Sequence, residues 1–246
     1  MDGFRKIRFV AVDCDGVLVD DTYLAVIERF VTRHGGRYDA HAERSIIGLR
    51  DVVVAVRVAH LCGLDQPVSD TLAALWAERD RYLRERPIRV AEGVPEFLAS
   101  LRRLGLRAVC YGGRTRKHTF DTYLGHLVDL LDADHPYVSV NDHRPGVEWI
   151  VRDVIGCEFD QVVFIDDVSR VADAARRHGA GFIGFPSSAA HARQRQFMTE
   201  GGVRHLIGSL DEVTPELLER IDAELATGTH WPARDDHHHD REMGQQ

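Results

Sequence analysis

Three short apolar runs stop abruptly where a buried strand has no need to stop. Phe9–Val12 ends at Asp13-x-Asp15, Leu106–Tyr111 at Gly112-Gly113-Arg114, and Val162–Ile165 at Asp166-Asp167. Runs of this length with so sharp a boundary fit strands buried on both faces. Tyr137–Val140 and Phe182–Phe185 read the same way, and Val203–Ile207 reads as a further strand. Between the strands, apolar residues recur three and four apart. Phe97, Leu98, Leu101 and Leu104 share a helical face, with Pro95 in the first turn and Gly105 as the stop. Thr119–Leu131, Val147–Ile155 and Val171–His178 are helical by the same spacing, and Thr214–Leu225 closes the series with Thr214 as cap. Strands alternating with helices of this length imply an α/β chain built on a Rossmann-like parallel sheet. Such sheets bind ligands at the carboxyl ends of their strands. The three polar endings therefore converge on one crevice.

The alternation breaks after the first strand. Tyr23–Arg33, Asp51–Leu61 and Asp70–Glu85 carry helical spacing with no strand between them. Residues 21–86 read as an all-helical insert, and residues 1–20 and 87–226 as the α/β core. Residues 227–246, polar and containing His237, His238 and His239, read as a disordered tail.

A formal net charge of -8 argues against nucleic acid as a partner, although a local field still admits a small anionic substrate. The four cysteines show no C-x-x-C spacing, which points to reduced thiols in the cytoplasm and away from a zinc site. No leader precedes Phe9, and no apolar run approaches the roughly 18 residues of a membrane span. The chain has only two lysines, Lys6 and Lys117. His34, His41 and His60 in the insert have no metal-binding spacing.

Carboxylates gathered at strand ends repel one another, and a hard divalent cation relieves that repulsion. Mg2+ takes a few carboxylates plus water and substrate phosphate. Asp13 then suits both metal ligation and nucleophilic attack on phosphorus. Asp15 suits proton transfer, and Gly16 a tight turn that leaves amides free for phosphate oxygens.

At these residues the sequence resembles the haloacid dehalogenase (HAD) superfamily. "DCDGVLVD" is similar to its first motif, D-x-D-G-x-L-x-D. "RVAEGVPEFLASLRRLGLRAVCYGG" resembles the approach to the second motif, "HRPGVEWI" the third, and "VVFIDDVSRVADAARRHGAGFIGFP" the fourth. The insert lies where the phosphoglucomutase-like and phosphoglycolate-phosphatase-like branch carries its helical C1 cap. The resemblance implies a Mg2+-dependent phosphatase acting on a small phosphorylated metabolite. Asp13 would be the nucleophile and Asp15 the acid/base. The metal would lie among Asp13, the Asp15 carbonyl and Asp167, supported by Asp166.

Three positions depart from the family pattern. Tyr111 or Gly112 stands where the family has a phosphate-binding Ser or Thr, with Gly113, Arg114 and Thr115 as substitutes. Arg144 replaces the third-motif lysine, with Lys117 as a stand-in. Val171 replaces a second acid of the fourth motif. Arg50, in "SIIGLRD", lies where such caps place a substrate-reading loop. A Schiff-base phosphonatase needs a cap lysine, and the insert has none; a dehalogenase would lack Asp15. A phosphomutase and a non-catalytic binder of a phosphorylated ligand or protein are the other readings. The oligomeric state is not legible in the sequence.

Overall fold

The structure is a computed structural model that describes residues 3–233. Five strands form one parallel sheet: β1 (Phe9–Asp13), β2 (Arg107–Gly112), β3 (Tyr137–Ser139), β4 (Val162–Asp166) and β5 (Gly181–Gly184). Their order is β3-β2-β1-β4-β5, with β1 at the centre. Phe9 pairs with Arg107 on one side and with Val162 on the other, so β1, β2 and β4 run in step. Side chains alternate between faces along each strand. Ala11, Val109, Tyr111 and Phe164 therefore share one face and one apolar cluster. Val12, Cys110 and Ile165 share the other.

Helices cover both faces. α1 (Tyr23–Arg33), α2 (Ala40–Ile46), α3 (Asp51–Cys62) and α4 (Val68–Glu85) lie between β1 and α5 (Val94–Arg103). They are followed by α6 (Ser169–His178), α7 (Gln194–Glu200) and α8 (Pro215–Thr227). Phe97 and Leu101 of α5 pack with Leu218 and Ile221 of α8 on the second face. Val171 and Ala175 of α6 join the first face, together with Ile27 and Phe30 of α1. Among the described residues, no helix is long and apolar enough to cross a membrane.

Several local readings are corrected. α2 and α7 are helices that apolar spacing does not reveal. α2 starts because Asp39 accepts a hydrogen bond from the Ala42 amide at 3.0 Å. Phe120–Leu124 and Trp149–Ile155 wind as wide π turns, and Gly125–Leu130 as a tight 3-10 turn, where the spacing predicts α-helix. The same apolar residues are buried under any of these windings, so periodicity alone does not choose among them. Val203–Ile207 contributes one bridge, Leu206 to Gly184, rather than a strand.

Residues 227–233 are not a disordered tail. Thr227 ends α8, and His230 is buried, with Nε2 accepting from the Phe182 amide at 2.9 Å. Trp231 Nε1 donates to the Ala180 carbonyl at 2.8 Å. The segment thereby covers the open edge of β5. His237, His238 and His239 lie outside the described residues.

The insert touches the α/β core beyond its two chain connections. Glu43 of α2 is fully buried and accepts from the Arg193 amide at 2.9 Å and from Gln194 Nε2 at 2.7 Å. Gln194 Oε1 in turn accepts from the Ser169 amide at 2.8 Å. Arg170 Nε donates to the Ile47 carbonyl at 3.0 Å. Glu43→Ala would leave two donors unpaired at a cost of roughly 1–3 kcal/mol. The expected outcome is a melting temperature several degrees lower, with a smaller loss for Glu43→Gln, measured by thermal denaturation. Equal melting of all three proteins would show that this tie contributes nothing.

Candidate active site

β1 delivers Asp13 to the first face of the sheet, two residues beyond Ala11, and β4 delivers Asp166 beside it. Tyr111 stands opposite Asp13 in register on β2. Its phenol reaches past β1 and donates to Asp166 Oδ2. Two strand spacings are roughly 10 Å, a span that a Ser or Thr could not cover. Asp166 Oδ1 accepts from the Val168 amide at 2.7 Å. Tyr111 is fully buried, engaged by Asp166 and not among the residues lining the cleft, so it is not the substrate contact that its motif position suggests.

The turn after β1 places the next acids. Asp15 accepts from the Thr22 amide at 2.9 Å and from Thr22 Oγ1 at 3.0 Å. Asp21 accepts from the Tyr23 and Leu24 amides, which are free donors at the start of α1. Gly16 has φ 105°, and a Cβ there would lie 2.5 Å from Asp167 Oδ2. The Asp167 carboxylate is thus seated against bare backbone beside Asp13 and Asp15.

These acids line a cleft of about 650 Å³, open mouth included, between sheet and insert. Arg144, Gly113 and Arg114 form its core side, and Tyr23, Asp51 and Trp76 part of its insert side. Arg144 packs so closely on Gly113 that a Cβ there would meet Nη2 at 2.3 Å.

Other expected contacts lie elsewhere. Gly112 packs against Tyr137 and Cys14 rather than the cleft. Arg50 is exposed and faces Asp142 at 3.6 Å, while its loop presents Ile47, Gly48 and Leu49 to the cleft instead. Thr115 and Lys117 are exposed and do not line it. Asp21 was missed by the motif reading; its signal is the second acid of Asp20-Asp21 directly before a helix.

The electrostatics are dominated by burial. Asp13 is pushed well above the usual carboxylate range by burial and then by repulsion from Asp166 and Asp167, with Arg144 opposing. Burial, Asp21, Asp166 and Asp15 do the same to Asp167. Burial raises Asp166 to about 6, against the Tyr111 and Val168 hydrogen bonds. Burial and Asp15 raise Asp21 to about 7.

Asp15, Asp21 and Asp166 each receive N–H or O–H donors, whereas Asp13 and Asp167 receive none among the described residues. A divalent cation fits that vacancy in the bonding, with Asp13, Asp167 and the Asp15 carbonyl as the groups that would hold it. The strand-end acids do not form a trio within 4.8 Å; His205, Glu224 and His230 do, at the β5 edge. His230 Nε2 already accepts there from the Phe182 amide, so its Nδ1 carries the proton toward Glu224. That cluster is a hydrogen-bonded strap. Two carboxylates, a main-chain oxygen, water and phosphate suffice for a hard cation.

No family model matches the sequence, and no curated protein matches it significantly. Solved structures do match in fold. A phosphonoacetaldehyde hydrolase-like protein from Oleispira antarctica is 13% identical with a TM-score of 0.66, covering 94% of this chain and 98% of that one. The β-phosphoglucomutase of Clostridium difficile is 12% identical with a TM-score of 0.65, covering 90% and 99%. A HAD family hydrolase from Deinococcus radiodurans, with bound phosphate and sodium, is 21% identical with a TM-score of 0.55, covering 93% and 99%. The chain has the HAD fold.

The raised acids bind protons more tightly folded than unfolded. Their contribution to stability is therefore present at low pH and is lost as pH rises from 3.8 through about 6 for Asp166 and about 7 for Asp21. Asp21→Asn keeps an oxygen for the α1 amides and removes one charge. In chelator, it should raise the melting temperature more at about pH 8 than at about pH 5. A gain confined to the acid side would contradict the repulsion.

Proposed function

We propose that this protein is a Mg2+-dependent phosphatase that hydrolyses a small phosphate monoester in the cytoplasm. The observation that carries this reading is the pairing of Asp13 and Asp167, both buried and without donors among the described residues, beside a half-buried Arg144. Bound there, Mg2+ would neutralise charge on the acids and on the transferring phosphoryl group.

The chain's own residues supply the rest. An Asp13 oxygen attacks phosphorus while the ester oxygen departs with the proton of the Asp15 carboxylic acid. Asp15, now a carboxylate, takes a proton from water. The resulting hydroxide attacks phosphorus, and inorganic phosphate leaves as Asp13 is regenerated. Thr22 holds Asp15 in place for both transfers. Arg144 offsets negative charge at the site where the family pattern has lysine, and it stays protonated in doing so. The helical insert, acting as a C1 cap, walls the cleft against bulk water.

Asp13→Asn should abolish Mg2+-dependent phosphate release across a panel of phosphorylated metabolites while the protein still melts cooperatively and no earlier than the wild type. Asp167→Ala should weaken Mg2+ binding at least about tenfold by calorimetry. Wild-type protein that binds Mg2+ and phosphorylated ligands yet releases no phosphate would instead support the binding-only reading. Free phosphate separates hydrolysis from a phosphomutase, for which the insert lacks the lysine of the mutase pattern.

Arg144→Ala should cost about 100-fold or more in kcat/KM, in the range of losing one preorganised charge stabiliser. Lys117→Ala should cost little, since Lys117 is exposed and outside the cleft. The reverse ranking, read from initial rates, would move the charge-screening role to the loop after β2.

A further inference from the structure

The cleft does not end at the catalytic acids. A second chamber of about 340 Å³, mouth included, continues into the insert and shares Tyr23, Asp51, Trp76 and Arg114 with the first. Its wall is hydrocarbon from α1, α3 and α4, including Val26, Val54 and Leu75. Two guanidinium groups interrupt that wall. Arg114 lies over the Trp76 ring, 4.5 Å from its centroid, which fixes its direction. Arg79, on the helix turn after Trp76, lines the same chamber, and its Nε is buried without a hydrogen-bond partner.

The absence of acid partners sets this pair apart. On the same helix, Glu78 gathers Arg29, Arg33 and Arg81 within 2.5–2.8 Å. Among the described residues, neither Arg79 nor Arg114 has a carboxylate within 4.0 Å or a side-chain hydrogen bond. The two cations repel each other, and together with burial this lowers the proton affinity of Arg79. Asp51 also lines the chamber, yet it is not within ion-pair distance of either arginine. Two half-buried cations without an acid partner, set in a largely apolar wall, represent free energy that an anion would recover.

We propose that the substrate's leaving group carries a second anionic group, of carboxylate or phosphate chemistry, held by Arg79 and Arg114 at the end of a hydrocarbon body. The body lies against Val54 and Leu75, and the scissile phosphate lies at Asp13. This assignment rests on the cleft being the substrate site. It replaces Arg50, whose exposed position excludes it from that role.

Phosphonates test the site without turnover. Calorimetry with Mg2+ present compares 4-phosphonobutanoate, butane-1,4-bisphosphonate and, as a control uncharged at its distal end, 4-phosphonobutanamide. At least one probe with a distal anion should bind about tenfold or more tightly than the amide, and which one does so identifies the anion. Arg79→Gln and Arg114→Gln should each collapse that gap without lowering the melting temperature, whereas Asp51→Asn should widen it. Equal binding of all three probes to the wild type, or a gap that survives both arginine substitutions, would overturn the proposal. The ester of phosphate with 4-hydroxybutanoate separates this from the hydrolase reading. A gap in binding without phosphate release keeps the anion site and removes the hydrolase. Phosphate release without a gap does the reverse.

Discussion

Like charge held out of water is the constraint around which this structure is arranged. Asp13, Asp166, Asp167 and Asp21 crowd the ends of two adjacent strands and the loop between sheet and insert. Each buried carboxylate must find a donor, a counter-charge or a proton. Tyr111 and Val168 serve Asp166, the first amides of α1 serve Asp21, and Thr22 serves Asp15. Arg144 is the cation pressed against the group. What remains is the pair Asp13 and Asp167, and that remainder is where the proposed cation would be held.

The altered second motif follows from the same constraint. A tyrosine at the end of β2 looks like a lost phosphate contact when read along the sequence. In the sheet it crosses behind Asp13 and fixes Asp166 from the far side, leaving that acid hydrogen-bonded while its neighbour Asp167 faces Gly16. On the proposed function, phosphate contacts on this side of the cleft would fall to the backbone at Gly113 and to the guanidinium group of Arg144. The near absence of lysine across the chain is consistent with this choice, since planar guanidinium groups pair with phosphate and carboxylate at two points where an ammonium offers one.

The helical insert carries the individuality of the protein. Its walls bound the cleft beyond the strand-end acids, and its tie through Glu43, Gln194 and Ser169 couples it to the strand-end loop that bears Asp167 and Val168. That linkage runs through one buried and two partly buried hydrogen bonds, which tie the insert to the fourth-motif loop. In the other direction, His230 and Trp231 secure the far edge of the sheet, where an unpaired strand would otherwise invite association.

Much of this was legible before any coordinates. Continuous apolar runs with sharp ends, alternating with helical spacing, point to the parallel sheet, and Asp13, Asp15 and Asp167 stand out because they follow two of those runs in the order of the family's motifs. Sequence alone also placed Arg144, because it precedes Pro145 in the third-motif pattern. The tertiary structure decided what depends on direction rather than position. It turned Tyr111 inward to Asp166, sent Arg50 outward to Asp142, and brought Asp21 into the acid cluster. It also set Arg79 of α4 against Arg114 of the β2 loop, 35 positions away along the chain. Local patterns encode which residues are buried. Which buried side chains meet is fixed only when the sheet twists, the insert closes over it, and every charge has to find its partner.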